Sequence, residues 1–238
     1  MSNSTDFPIY TVAQMRQAEQ QAETDYGISL TTLMSRAGRG LAREAMDMLG
    51  WSDGPVWIFC GNGNNGGDGY VCGADLIRNN IKVVVCAVDP GKLHYASLAG
   101  AAAQGYRDAG GVIVEAGPDM DGEQVRGALV VDCLLGTGLS RDVTGLYARL
   151  IEIINASGLP VLACDVPSGV DADTGAIMGT AVAATRTVMM GLGKPGCALE
   201  PGSTLFGELA VCDIGLSREL IAGLGPPWSP GPAYSLYE

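Results

Sequence analysis

Apolar runs of strand length alternate with longer segments of helical periodicity along most of the chain. These short runs are continuously apolar, as is typical of parallel strands buried on both faces of a sheet. The alternation therefore predicts an α/β fold with a doubly wound, mostly parallel central sheet. The predicted strands cover residues 55–60, 81–88, 112–115, 128–134, 160–164, 185–190 and 208–213.

Helices are predicted between these strands and ahead of the first one. They cover residues 68–79, 95–109 and 144–157, with two more at about 11–24 and 30–48. Thr11 is suited to cap the first helix, whose apolar face carries Val12, Met15 and either Ala18 or Ala22. We expect these two N-terminal helices to cover a face or edge of the sheet, or to pair with another subunit.

The end of the chain differs in composition from the rest. From Gly223 onward the sequence is rich in Pro and Gly, which predicts a linker or terminal arm. We therefore divide the chain into a domain of residues 1–222 and an arm of residues 223–238.

Charge and cysteine content exclude several classes of function. The 238 residues carry a formal net charge of −12, which argues against nucleic acid or an anionic membrane as the main partner. Several of the seven cysteines lie inside apolar runs, which indicates buried, reduced thiols. No apolar stretch reaches membrane-spanning length, and the N-terminus lacks the features of a signal peptide. We expect a cytoplasmic protein, although an organellar form whose targeting segment had been removed would look the same.

Three polar loops follow predicted strands, at the sheet edge where doubly wound folds bind ligands. Residues 61–69 form a loop of Gly, Asn and Asp after the first strand. Asp132 ends a later strand and precedes a loop at residues 136–142, and Asp165 begins the third loop, Asp-Val-Pro-Ser-Gly. Because the carboxyl ends of parallel strands meet at one edge, these loops are expected to converge on a single site.

Each loop also has alternative interpretations. Gly61, Gly63 and Gly66 match the GxGxxG pattern of dinucleotide-binding turns, and Asp89 is placed to bind the ribose of an ordinary dehydrogenase cofactor. A tight, flexible turn is the simpler alternative, but the three Asn and one Asp among these glycines are more polar groups than such a turn requires. The carboxyl pKa values of Asp132 and Asp165 are open to tuning at a strand end, or these residues serve only as caps.

Four motifs together resemble a known family. GNGNNGGDGYV at 61–71, VDCLLGTGL at 131–139, DVPSGVDADTG at 165–175 and GLGKPG at 191–196 closely resemble the NAD(P)HX epimerases, the YjeF N-terminal domain family. The resemblance runs from about Val12 to Gly215. It implies a Rossmann-like three-layer α/β/α sandwich, a dimer, a bound potassium ion and interconversion of the R and S forms of hydrated NADH or NADPH.

The resemblance also assigns residues to roles. It implies that potassium is held by Asn65, Asp132 and Ser168, whose amide, carboxylate and hydroxyl oxygens suit a hard cation. It also implies that Asp165 is the catalytic residue. The implied substrate contacts are Asn64, Asn65, Gly66, Gly67, Asp68, Gly136, Thr137, Gly138, Leu139, Ser140, Arg141, Asp142 and Asp165.

The substrate's chemistry suggests how Asp165 would act. The C6 hydroxyl of the hydrated ring lies next to the ring nitrogen, so its protonation lets water leave and an iminium form, which water re-enters from either face. Ring opening to an aldehyde and reclosure is a second route. Both routes need a group that donates and accepts a proton, and neither needs a redox cofactor.

Other interpretations compete with the epimerase. A noncatalytic nucleotide-binding or scaffold module of the same family is one, and an NAD-dependent dehydrogenase is another. Lys194 of GLGKPG is placed to contact a phosphate or a strand-end carboxylate, or to be an exposed structural lysine. Many bacterial members of the family continue into an NAD(P)HX dehydratase, so the chain is either a stand-alone epimerase or a fragment of such a fusion. The sequence does not distinguish a preference for the NADH or the NADPH form.

Overall fold

The computed structural model describes residues 7–50, 52–117 and 119–229, and within them the seven predicted strands form a single sheet. The expected residues 230–238 of the arm lie outside this description. The strands are β1 (Val56–Cys60), β2 (Val83–Ala87), β3 (Ile113–Glu115), β4 (Leu129–Cys133), β5 (Val161–Cys164), β6 (Arg186–Met190) and β7 (Glu208–Cys212).

The sheet has the order β3-β2-β1-β4-β5-β6-β7, and all six pairings are parallel. In its centre Ile58 of β1 lies opposite Val85 of β2 on one side and Val131 of β4 on the other. The chain runs from β1 outward to β3 and then returns to the other side of β1 at β4. This reversal opens a crevice at the carboxyl ends of β1 and β4, where doubly wound sheets bind ligands.

The described residues contain six α-helices, and five of them confirm the five that the sequence predicts. Thr11 Oγ1 accepts a hydrogen bond from Gln14 N, and Thr11 N donates to Gln14 Oε1, so the predicted cap is a full capping box. The helices are α1 (Val12–Thr24), α2 (Leu30–Leu49), α3 (Asn64–Arg78), α4 (Leu98–Asp108), α5 (Gly145–Ala156) and α6 (Arg218–Gly223).

The helices differ from the sequence-based expectation in three places, and one of them is the start of α4 at Leu98 and not at residue 95. Helix α3 begins at Asn64 and not at residue 68, because Gly63 takes the extended conformation of an N-cap and the Asn-Gly run already forms the first turn. The short helix α6 was not predicted, since its six residues carry too little periodicity to stand out. Beyond α6, the Gln14 side chain donates to the carbonyls of Leu224 and Pro226, and Trp228 N donates to Ile9 O.

The hydrophobic core has one layer on each face of the sheet, which confirms the three-layer architecture. One face packs against α2, α3 and α4, with side chains such as Ile58 and Val131 between them. The other face packs against α5, with Phe59 and Val130 inside. Successive strand residues thus enter opposite layers, which is why the strand sequences are apolar throughout.

The cysteines match their prediction. All seven are free thiols, and six of them are buried, with Cys212 partly exposed. Burial raises the pKa of the Cys133 thiol to about 12, so this thiol is protonated at neutral pH. Separately, no helix in the described part of the chain is both long and apolar enough to cross a membrane.

Candidate functional site

A cavity of about 570 Å³ opens at the carboxyl edge of the sheet, beside the crevice between β1 and β4. Helix α1 lines it with Val12, Met15, Arg16 and Glu19, which recur at the spacing of one helical face. Helix α2 contributes a second such face, and the loops after β1, β4, β5 and β6 supply most of the remaining lining. The N-terminal helices therefore enclose the site, a role that their apolar pattern did not reveal.

Close backbone packing explains the glycines after β1. A Cβ on Gly61 would lie 2.0 Å from Leu134 O, and a Cβ on Gly66 would lie 1.9 Å from Gly61 O, so neither position accepts a side chain without movement of the backbone. Gly63 has open space around it and makes no side-chain cap. Together these glycines place the uncapped N-terminus of α3 at the cavity, where backbone N–H groups favour an anion.

Asp132 and Ser168 contact each other behind the loop that follows β4, and Ser168 and Asn65 both donate to Leu135 O. Asp132 is completely buried and accepts from Ser168 Oγ at 2.6 Å, Ser168 N at 2.8 Å and Leu134 N at 3.2 Å. Burial raises the pKa of Asp132 to about 6, although these hydrogen bonds oppose the rise. Ser168 Oγ also accepts from Leu135 N at 2.8 Å.

Asn65 brings an unpartnered oxygen to this cluster. Its Nδ2 donates to Leu135 O at 2.9 Å, whereas its Oδ1 is buried and makes no hydrogen bond within the described residues. A buried acceptor without a partner is costly unless a ligand satisfies it. The described residues include no group of three or more His, Cys, Asp or Glu side chains suited to a metal. The available donors are instead amide, hydroxyl and carboxylate oxygens, a set that fits an alkali cation.

Asp165 and Lys194 form an ion pair in the cavity wall. Asp165 has a left-handed backbone with a φ of 68°, which is uncommon for a residue other than glycine and turns its carboxyl toward the end of β6. Lys194 Nζ donates to Asp165 Oδ1, and Met190 N donates to the same oxygen at 3.0 Å. Lys194 Nζ also donates to Met190 O at 2.9 Å. Lys194 is fully buried and contacts a strand-end carboxylate, which is one of the interpretations that the sequence allowed.

Two more carboxyl groups line the cavity with this pair. Burial is the main cause that raises the pKa of Asp68 well above its usual range, and the negative charges of Asp165 and Glu19 add to it. The pKa of Glu19 is raised by burial and then by Asp165, whereas Lys194 and Arg16 lower it. Three carboxyl groups thus share one cavity with few cations, and their mutual repulsion opposes the ionisation of Asp68 and Glu19.

The structure brings most of the predicted site residues together. Those that line the cavity are Asn64, Asn65, Asp68, Gly136, Thr137, Gly138, Leu139, Ser140, Arg141 and Asp165. Gly66 and Gly67 are buried inside the first turns of α3, and the exposed Asp142 lies outside the lining. Asp132 and Ser168 are enclosed behind the loop and do not reach the cavity surface.

Sequence reasoning missed Arg16 and Glu19. Both lie on α1, far from the glycine-rich motifs, and their only signal is that they share a helical face with Val12 and Met15. Within the described residues neither side chain makes a hydrogen bond or ion pair to another residue, although both line the cavity.

The last part of the DVPSGVDADTG motif positions α1. Asp173 Oδ1 accepts from Val12 N at 2.8 Å, which satisfies a free N–H group at the start of that helix. Asp171 Oδ1 holds the turn by accepting from Asp173 N and from both Thr174 N and its hydroxyl. This segment therefore couples the loop that carries Asp165 to the helix that carries Glu19.

Comparison with known proteins agrees with this arrangement. Residues 30–196 match the family model described as "YjeF-related protein N-terminus". The chain belongs to this family. The match spans well over half of the sequence and includes the three loops after β1, β4 and β5, while α1 and its Glu19 lie ahead of it.

Relatives of the chain occur in single-domain and longer forms. It is 33% identical over 221 residues to an NAD(P)H-hydrate epimerase of Elusimicrobium minutum, with 89% of this chain and 97% of that protein covered. It is 38% identical over 222 residues to a bifunctional NAD(P)H-hydrate repair enzyme of Thermofilum pendens, with 88% of this chain covered. The chain spans only 40% of that longer relative.

A solved structure supports the fold. The crystal structure of yeast ynu0 superposes with a TM-score of 0.80 and covers 94% of this chain and 96% of that chain. Because the two sequences are 18% identical, this likeness establishes the shared architecture only.

Proposed function

We propose that this YjeF-family member interconverts the R and S forms of hydrated NADH or NADPH, as an isomerase of nicotinamide nucleotide repair. The observation that carries the proposal is the buried Asp165–Lys194 pair in the wall of a cavity of about 570 Å³, large enough to enclose the reacting part of a nucleotide. Relatives that match over nearly their whole length and bear the name NAD(P)H-hydrate epimerase support it.

The substrate would be held largely by backbone groups. Its phosphates would lie at the uncapped N-terminus of α3, near Asn64 and Asn65, because free N–H groups and the helix dipole favour anions there. Arg141 and the loop 136–140 line the adjacent wall. This mode of binding suits a chain with a net charge of −12, which offers few cations.

Asp165 would move the proton at the reacting carbon. Its carboxyl would protonate the C6 hydroxyl so that water leaves, and in the reverse direction its carboxylate would accept the proton of the water that adds to C6. Lys194 and Met190 N fix the position of Oδ1, which leaves Oδ2 free to face the cavity. General acid–base catalysis by such a group accelerates a reaction by about 10²–10⁴-fold.

A potassium ion would be held by Asn65, Asp132 and Ser168. The unpartnered Oδ1 of Asn65 supports this assignment, and carbonyls of the 136 loop would complete the shell. When bound, the ion supplies a fixed positive charge behind the loop. Asn65, Asp132 and Ser168 themselves tie α3 to the loops after β4 and β5.

The biological setting is also part of the proposal. We expect a cytoplasmic homodimer that works with an NAD(P)HX dehydratase, either separate or fused as in the bifunctional relatives. The seven free thiols support a reducing compartment.

The test measures epimer interconversion directly. Purified R- and S-NADHX are incubated with the protein, and the isomers are followed by chiral chromatography. The wild type should exceed the spontaneous rate, and Asp165→Asn should lose about 10²–10⁴-fold of the acceleration. A folded wild type that binds the nucleotide without acceleration would favour the noncatalytic module, whereas NADH-dependent hydride transfer would favour a dehydrogenase.

A further inference from the structure

Glu19 places a second carboxyl in the cavity that contains Asp165. It projects from α1, whereas Asp165 projects from the end of β5, so the two groups enter from different walls. The Glu19 side chain is half-buried and makes no hydrogen bond or ion pair to another described residue. A carboxyl held in a cavity without a protein partner is available to a ligand.

The position of Glu19 is also fixed by the fold. Met15 and Ala18 on the same helix are buried in the core, and Asp173 anchors the first turn of the helix at Val12 N. The helix therefore cannot turn Glu19 away from the cavity without exposing apolar surface. Glu19 therefore lacks an ion pair even though its position on the helix is fixed.

Glu19 faces charged groups from three parts of the fold. From its own helix it faces Arg16, from the strand ends it faces Asp165 and Lys194, and from α3 it faces Asp68. Burial raises the pKa of Glu19 above its ordinary value, and the negative charge of Asp165 adds to the rise. Both the acid and the base form of such a group are useful in catalysis.

Epimerisation of a ring held in one orientation requires chemistry on both of its faces. Water leaves C6 from one face and must return to the other. A single carboxyl cannot exchange protons on both faces of the ring unless the substrate dissociates and rebinds with its other face toward that carboxyl.

We propose that Glu19 is a second acid–base residue of this reaction and serves the face of the ring opposite Asp165, an inference that rests on the proposed function. One carboxyl donates a proton to the C6 hydroxyl, the C–O bond breaks, and water and an iminium form. A water molecule on the other face then adds to C6, and its proton passes to the other carboxylate. The two carboxyls thereby exchange protonation states, and no oxidant or reductant is consumed.

Oxygen exchange separates this role from a structural one. In H₂¹⁸O, each carboxyl acting alone still allows water to leave and return on its own face, which labels one epimer without inverting it. Glu19→Gln should therefore lower epimerisation by about 10²-fold or more while ¹⁸O exchange with retention continues in one epimer. Asp165→Asn should preserve that exchange in the other epimer.

A matched variant controls for changes in α1. Glu23 lies one turn beyond Glu19 on the same helix, is exposed and lies outside the cavity lining, so Glu23→Gln should behave as wild type. Melting temperatures confirm that each variant is folded. Glu19→Asp, which keeps the carboxyl, should recover part of the lost rate and provides a second variant if Glu19→Gln is unstable.

The outcomes distinguish this inference from the proposed function. Wild-type acceleration together with a Glu19→Gln rate within about twofold of wild type would overturn the inference alone. Loss of ¹⁸O labelling from both epimers in Glu19→Gln would indicate a structural role for Glu19 and would also overturn the inference. Inverted product that retains its original oxygen would indicate ring opening and would overturn the inference as well. An inactive wild type would overturn the proposed function and the inference with it.

Discussion

The buried ammonium of Lys194 donates to Asp165 Oδ1, and the two partners differ in their access to water. The side chain of Lys194 is 1% exposed and that of Asp165 is 15% exposed. Removal of one partner therefore has unequal effects, because a carboxylate that reaches the cavity can be hydrated and an enclosed ammonium cannot.

We expect Asp165→Asn to destabilise the protein more than Lys194→Met. Breaking a buried pair costs about 3–5 kcal/mol when the remaining charge stays unpaired, and this applies to Lys194 after Asp165→Asn. Lys194→Met removes the enclosed charge itself and should cost about 1 kcal/mol. Urea unfolding at neutral pH compares the two variants. Equal losses, or a larger loss for Lys194→Met, would contradict this account of the pair.

The glycines after β1 are expected to differ sharply in their tolerance of a methyl group. Gly66→Ala would place Cβ against Gly61 O, so we expect a loss of about 3 kcal/mol in the free energy of unfolding. Gly63→Ala meets no atom within 4 Å and its φ of −92° is accessible to alanine, so its cost should stay below about 1 kcal/mol.

Thermal unfolding of the two glycine variants without ligand tests this difference. For a protein of this size, Gly66→Ala should lower the melting temperature by about 6–12 °C. If Gly63→Ala proved as damaging as Gly66→Ala, backbone crowding would not be the reason for the glycine pattern.

The sequence predicted the sheet and the three loops because their signals are local. Continuous apolar runs define buried parallel strands, and strand order places the polar loops at one edge. The position of Glu19 depends instead on how α1 packs over that edge, which involves residues such as Asp173 that lie about 160 positions away. The contact between Lys194 and Asp165 likewise joins residues 29 positions apart, and no local pattern reports it.

Potassium is expected to raise the melting temperature selectively. An ion that binds only the folded state at 100 times its Kd stabilises it by about 2.7 kcal/mol, which corresponds to about 5–11 °C here. Melting curves in KCl, compared with choline chloride at the same ionic strength, measure this shift without substrate. NaCl tests the selectivity of the site.

Asn65→Ala should abolish the potassium shift, because it removes the unpartnered Oδ1. Asn64→Ala, in the same helical turn but exposed, should keep the shift and controls for changes in α3. A wild-type melting temperature that does not respond to potassium would rule out the ion site.

Asp68 is expected to weaken the fold at neutral and alkaline pH. Its pKa in the folded state is raised well above the ordinary value for an aspartate, mainly by burial, so the native state binds more protons than the unfolded state once the pH exceeds that ordinary value. The contribution of Asp68 to the free energy of unfolding therefore falls as the pH rises from about 4 toward the raised pKa. Asp68→Asn removes the penalty and should add about 1–2 kcal/mol at pH 8, with a smaller gain at pH 4.5.

Urea unfolding of wild type and Asp68→Asn across this pH range measures the gain. Asp75→Asn, farther along α3 and outside the cavity lining, provides the control and should show no gain that grows with pH. Because Asp68 is also an implied substrate contact, Asp68→Asn should bind the nucleotide more weakly even as it becomes more stable. A gain that shrinks as the pH rises would mean that Asp68 is ionised in the folded protein and stabilised by Lys194 instead.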